Sequence, residues 1–145
     1  MYRQVLQTFE RLGEHRNIAG SYHQLGVLAH DRGDYAAEPL YRRSLEISER
    51  IGDQPGIAVN YAVLGGLSEA LGNSEQAVAY RVSALVIRLQ IGTATTGDVQ
   101  PLTELRRQLG HDRFRAAALA SGLDEQSARR PHADTRPARG LTAGN

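Results

Sequence analysis

The stretch NIAGSYHQLG (residues 17–26) returns 39 positions later as GIAVNYAVLG (residues 56–65). In both copies the apolar residues stand three or four positions apart, which places them along one side of an α helix. A glycine follows each apolar stripe, Gly33 in the first copy and Gly72 in the second, where a left-handed helix end is favoured. The repeat therefore predicts helices joined by tight turns, and no part of the sequence has the alternating period of a β strand.

The opening residues of the chain belong to the same pattern. Residues 2–14, YRQVLQTFERLGE, match residues 41–53, YRRSLEISERIGD, with the same offset. This match predicts a separate helix that ends at Gly13 and is the second helix of a repeated unit. In a complete unit a preceding helix would cover part of its apolar stripe, so either residues upstream or another molecule is expected to cover Leu6 and Phe9. The exposed N-terminal edge predicted in this way consists of Val5, Leu6 and Phe9.

The composition is that of an ordinary globular domain. Hydrophobic residues make up 41% and charged residues 23% of the 145 residues, and no apolar run is long enough to cross a bilayer. The lack of cysteine excludes disulfides and thiolate chemistry, and we expect a cytoplasmic protein. The net charge of +1 disfavours binding to nucleic acid or membrane. All 17 basic residues are arginine, which indicates a high-GC bacterial source.

The first repeat resembles a known family. YHQLGVLAHDRGDYAAEPLYRRSLEI (residues 22–47) is similar to the tetratricopeptide repeat, whose signature combines an aromatic, Leu-Gly, Gly-x-Tyr and a later small residue with an aromatic. The unit is longer than the usual length of about 34 residues, as in the kinesin-light-chain-like subclass found in bacterial, actinomycete-type regulators. In the second repeat Arg81 occupies the aromatic position and Tyr80 precedes it. The matching residues are Tyr22, Leu25, Gly26, Gly33, Tyr35, Ala37, Tyr41, Tyr61, Leu64, Gly65, Gly72, Ala77 and Ala84.

This resemblance covers residues 2–120 and implies an all-α fold, an α-solenoid of antiparallel helix pairs with about seven helices. A leucine at Gly26 or Gly65 would push the paired helices apart. The expected organisation is a repeat domain over 1–121 and a disordered arginine- and proline-containing tail over 122–145. Within the domain we expect an orphan second helix at 2–14, full repeats at 17–53 and 56–92, and a degenerate capping repeat at 98–121. In that last unit, Phe114, Ala117, Ala118 and Leu119 are expected on the inner side of a final helix.

The resemblance also implies where a partner would bind. In tetratricopeptide stacks the first helix of each pair lines a concave groove that holds a peptide or helix. The Asn and Lys residues that clamp a partner's terminal carboxylate are absent here, and the small apolar positions of the second unit favour a hydrophobic or helical segment. The groove positions carried over are His23, Gln24, Val27, His30, Asp31, Ala62, Val63, Gly66, Glu69, Glu104 and Arg107.

Catalytic and metal chemistry have little support in the sequence. His23 and His30 lie on one helix face but about 10 Å apart, too far to bind one metal ion. We therefore expect no catalytic residues, no metal and no cofactor. Helical neighbours of opposite charge predict a solvated outer face for the arginines of the second helices. These are Arg42, Arg43, Arg50, Arg81 and Arg88.

The functional prediction is a non-catalytic protein–protein interaction scaffold in a bacterial regulatory or signalling assembly, with a protein or peptide partner. The alternative is a self-associating module, a homodimer formed through the exposed N-terminal edge. No membrane partner is expected, and the tail arginines Arg129, Arg130, Arg136 and Arg139 favour a solubilising role over nucleic-acid binding because no aromatics are interleaved with them. The sequence identifies neither the partner nor a larger regulator to which the chain would belong.

Overall fold

The computed structural model describes residues 2–34 and 36–121, with the side chain of Tyr2 excepted. These residues form α helices and no β strand, which confirms the all-α fold class for this part of the chain. The arginine-containing tail at 122–145 and Tyr35 of the repeat motif lie outside the described residues. The helices are α1 (Tyr2–Asp31), α2 (Ala37–Ile51), α3 (Gln54–Ala70), α4 (Ser74–Ile91), α5 (Thr96–Leu109) and α6 (His111–Leu119).

The helices pack mainly against their neighbours in the chain. α1 packs against α2, α3 packs against α4, and α2 joins the two pairs by contacting α3. α4 then contacts both α5 and α6. One hydrophobic core lies among α1, α2, α3 and α4, around Tyr41 and Leu64, and a second lies among α4, α5 and α6, around Val78 and Leu105.

The first helix is longer than the sequence predicts. α1 is one continuous helix of 30 residues, so the expected end at Gly13 is absent and the described residues contain six helices rather than about seven. At the matching position 39 residues later, Gly52 does end α2, with a left-handed φ of 72°. The glycine alone therefore does not decide whether the helix stops.

The residues after the glycine explain this difference. After Gly52, Asp53 is the N-cap of α3, its Oδ1 accepting a hydrogen bond from the Gly56 N–H at 3.3 Å, and Pro55 follows in the first turn. Both features favour a new helix start. The residues 39 positions earlier are Glu14 in place of Asp53 and Arg16 in place of Pro55, and both residue types are good helix formers. The chain therefore continues through Gly13 in a single helix.

Close packing within each helix pair depends on a glycine. The ring of Tyr41, on α2, lies over Gly26 of α1, and a Cβ built on Gly26 would be 2.7 Å from two ring carbons. In the second pair the Cγ of Arg81 takes the place of the ring and would be 2.6 Å from a Cβ on Gly65. Arg81 thus takes in the second pair the place over the glycine that Tyr41 holds in the first.

We expect Gly26→Leu to destabilise the protein by about 1–3 kcal/mol, because the new side chain would displace the buried ring of Tyr41. The matched control is Gly97→Leu on α5, where a Cβ has no atom within 4 Å. Urea denaturation followed by circular dichroism measures both. Equal stability of the two variants would contradict the close contact between α1 and α2.

The last helix packs less fully than the sequence predicts. Ala117 of α6 is buried against Leu102 and Leu105 of α5, and Phe114 and Ala118 pack beside them. Leu119, which was expected on the inner side, is exposed, because two residues after the buried Ala117 a side chain points to the other side of the helix. The predicted inner face is therefore correct for three of its four residues.

α1 and α3 differ in how far they are covered. Three apolar positions of the repeat are buried on α3 in the first core, whereas their counterparts on α1 are about half exposed; Leu64 is 1% exposed and Leu25 is 51% exposed. The first core, which includes Tyr41 and Leu45 of α2, contains all three α3 residues. The pairs are Ile57 and Ile18, Leu64 and Leu25, and Leu67 and Leu28.

Candidate functional site

A groove runs between the second half of α1 and the first half of α3, with α2 beneath it. The two helices approach each other where His23 meets Asn60, and they leave a concavity of about 280 Å³. We call it the α1–α3 groove. Its lining includes Gly20, His23, Gln24, Ser48, Val59 and Asn60.

A network of polar side chains forms the floor of the α1–α3 groove. The Asn60 amide nitrogen donates to the Ser44 hydroxyl at 3.0 Å and to the Gly56 carbonyl at 3.0 Å. Its carbonyl oxygen, which therefore faces α1, accepts from His23 Nδ1 at 3.1 Å. Asn60 and Ser44 are buried, so these bonds satisfy groups that would be costly to leave unpaired. The network thus links α1 to α3 through His23 and α3 to α2 through Ser44.

The sequence did not single out Asn60. It stands three residues after Ile57 and four before Leu64, and thus on the apolar stripe of α3. A polar residue on such a stripe indicates either a buried hydrogen bond or a ligand. The sequence therefore contained a signal for Asn60, but it did not indicate which residues of α1 and α2 bond to it.

One end of the groove carries an ion pair. Arg16 Nε of α1 lies 3.8 Å from Asp53 Oδ2, just before α3, and Arg16 is largely exposed. A pair at this distance with one largely exposed partner contributes little to stability. The Arg16 charge is accessible to a bound segment, whereas the Asp53 side chain is only 16% exposed.

His30 and Asp31, also predicted for the groove, lie farther along α1. The His30 Nδ1 and the Tyr41 hydroxyl share a hydrogen bond at 3.2 Å, and Asp31 is exposed at the helix end. His30 lines a separate concavity of about 300 Å³ with Leu67 and Ala70. Burial, with a smaller contribution from Asp31, raises the pKa of Tyr41 above its ordinary value.

The other predicted groove residues fall into two groups. Val27, Ala62, Val63 and Gly66 are half-buried on α1 and α3, and Val27 and Val63 also pack against the first core. The three charged residues are paired within the protein. Glu69 bonds to Arg81, and Glu104 bonds to Arg107 on α5, outside the α1–α3 groove. Hydrogen bonds from Arg107 lower the pKa of Glu104 from its ordinary value.

Two arginines differ from the sequence prediction of a solvated face. Arg42 and Arg43 do pair with nearby acids on α2 at the surface. Arg81 and Arg88 instead have side chains only 14% and 21% exposed, and they pair with acids on other helices. Their partners are distant in sequence, so spacing along one helix could not indicate them.

A further concavity of about 370 Å³ lies between α2 and α4, over Tyr61 of α3. Burial raises the pKa of Glu49 there, and the charge of Glu46 raises it further. Burial is also the main cause that raises the pKa of Tyr61, with Glu49 second. A carboxyl group with a raised pKa beside a phenol does not by itself indicate catalysis, because burial and neighbouring acidic groups, which any packed surface can have, account for both shifts.

Within residues 2–34 and 36–121, no set of three or more His, Asp or Glu side chains is arranged to hold a metal ion. None of the described helices combines the length and the apolar character needed to span a membrane. No family model, no curated protein and no solved structure matches the chain.

Proposed function

We propose that this chain is a non-catalytic interaction module of the tetratricopeptide-like solenoid type. Its partner is a hydrophobic or helical segment of another protein in a cytoplasmic bacterial regulatory assembly, and the segment binds in the α1–α3 groove. The observation that carries this proposal is the open concavity between two helices of matching sequence. The similarity of α1 and α3, and the packing of each on the helix that follows it, support the solenoid arrangement.

The chemistry of the groove favours such a partner. Asn60 already uses its amide for His23, Ser44 and Gly56, so the network serves the protein itself. Val59 is 40% exposed at the groove and offers apolar surface to a bound segment. Gln24 stands exposed on the opposite wall and can bond to polar groups of that segment. Apolar contact with a few polar groups at the edge is the usual composition of a peptide site.

We expect Val59→Glu to weaken binding of a groove ligand at least about tenfold, because a bound segment would bury the new charge without a partner. The probe is a peptide selected on this protein from a displayed library of amphipathic helical sequences, and fluorescence anisotropy gives its dissociation constant. The matched control is Val99→Glu on α5, a valine of similar exposure outside the groove.

Circular dichroism should show the same helicity for both variants. Binding that survives Val59→Glu, or a library that yields no binding peptide, would count against the groove as a partner site.

A further inference from the structure

The first half of α1 has an apolar stripe that the described residues leave uncovered. Every described side chain from residue 3 to residue 12 is exposed, and Phe9 is 66% exposed. In α2, which has the matching sequence, the counterparts of Leu6 and Phe9 are Leu45 and Ser48, and both are buried. A face that the repeat buries in its second copy is therefore open in its first. The stripe consists of Val5, Leu6, Phe9 and Leu12.

The same face of α1 continues into its second half with a regular spacing. Leu6, Gly13, Gly20 and Val27 recur every seven residues, which is close to two helical turns, so they lie along one side of the helix. A Cβ built on Gly13 or on Gly20 would have no neighbouring atom within 4 Å. The order of side chains is large, small, small, large, and it reads the same from either end.

Such an order fits a second copy of α1 running in the opposite direction. Two crossing helices are closest at their crossing point and diverge toward their ends, so small residues suit the middle and large residues suit the ends. Antiparallel pairing would place Gly13 beside Gly20 of the second copy and Leu6 beside Val27 of the second copy. Two-fold symmetry makes each of these contacts twice.

The charges at the two ends of α1 agree with this arrangement. Arg3, near the start of the helix, and Asp31, at its end, are both exposed. Antiparallel pairing brings Arg3 of each copy close to Asp31 of the other, whereas parallel pairing would bring like charges together. With 30 residues, α1 is about 45 Å long, so the first half of each α1 can lie along the second half of the other.

We propose that two copies of this chain form an antiparallel dimer through α1, the first half of each α1 lying along the second half of the other. The stripe of Val5, Leu6, Phe9 and Leu12 is then covered by the Gly20 and Val27 face of the second copy. This proposal does not rest on the proposed function, because it requires neither Val59 nor a bound segment. Gly20 also lines the α1–α3 groove, so the second copy and a groove ligand would share that part of α1.

Sedimentation velocity of the full chain tests the association. The expected species has twice the chain mass of 15.8 kDa. Phe9→Glu should raise the dimer dissociation constant at least about tenfold, because the pairing would bury the new charge. The matched control is Leu89→Glu on α4, another strongly exposed apolar residue, which should leave the dimer intact. A monomer at all concentrations, or a dimer unaffected by Phe9→Glu, would overturn the proposal.

Cross-linking tests the orientation, since the chain has no cysteine of its own. An equimolar mixture of Gly13→Cys and Gly20→Cys chains is oxidised, and mass spectrometry identifies the linked pairs. The expected product joins one chain of each kind. A product that joins two Gly13→Cys chains in preference would show parallel pairing and refute the antiparallel arrangement. Peptide binding by the Val59→Glu variant is a separate measurement, so failure of either proposal is recognised independently.

Discussion

Replacing Arg88 with methionine is expected to destabilise the protein by about 3–5 kcal/mol, the cost of leaving a buried charge without its partner. Arg88 of α4 donates from Nη1 to Asp98 Oδ1 of α5 at 2.5 Å. Asp98 is only 1% exposed, and its second oxygen has no hydrogen-bond partner among the described residues. Arg88 is thus the main compensation for a carboxylate that water does not reach. Equilibrium unfolding in urea gives the change in free energy.

The two partners should respond unequally to substitution. Asp98→Asn leaves Arg88, whose side chain is 21% exposed and reaches water, so we expect a smaller loss than for Arg88→Met. The double variant Arg88→Met with Asp98→Leu removes both charges and should recover most of the stability, because apolar replacements of a buried ion pair are often tolerated. If Arg88→Met unfolds at the same urea concentration as the unmodified protein, Asp98 does not depend on Arg88.

The second large effect is expected for Tyr41→Ala, a loss of about 3–5 kcal/mol, because the change leaves a cavity at the centre of the first core. Tyr41 is 1% exposed, covers Gly26 and packs against His23 with ring centroids 5.5 Å apart. Thermal and urea denaturation measure the loss. Since whole domains are stable by only about 5–15 kcal/mol, this variant should be close to unfolded.

Tyr41→Phe separates packing from hydrogen bonding. It keeps the ring over Gly26 and removes only the hydroxyl that bonds to His30 at 3.2 Å. The expected loss is about 0.5–1.5 kcal/mol. A loss as large as that of Tyr41→Ala would mean that the hydroxyl, and not the ring, holds α1 and α2 together.

Local sequence patterns predicted the parts of the fold that depend on residues close together in the chain. The apolar spacing indicated α2, α3 and α4, and the expected glycines end two of these helices, Gly52 ending α2 with φ of 72° and Gly92 ending α4 with φ of 73°. Gly13 failed as a signal because a glycine permits a helix end without requiring one. The capping carboxylate of Asp53 and the ring of Pro55 favour a new helix start after Gly52, and neither residue type follows Gly13.

Features that depend on contacts between distant residues were not predictable in this way. The Asn60 network needs His23 and Ser44, which belong to two other helices. The pairing of Arg88 with Asp98 crosses from α4 to α5, although both residue types are common at exposed positions. The carried-over positions His23 and Gln24 do line the α1–α3 groove, and their role in binding a partner stays a prediction.

Apolar side chains that are buried on α3 are exposed on α1, and this difference affects how further helices could be added to the row. The three positions that are buried in the first core when they lie on α3 are Ile57, Leu64 and Leu67, and α1 presents the same residue types at its own surface. α1 therefore has an apolar surface on which one more helix like α2 could pack. If the helices form the solenoid proposed above, duplicating a unit would extend the row with no change to the existing core, because each repeat brings its own buried surface. The length of such a solenoid would then be set by the number of duplications and not by the capacity of one closed interior.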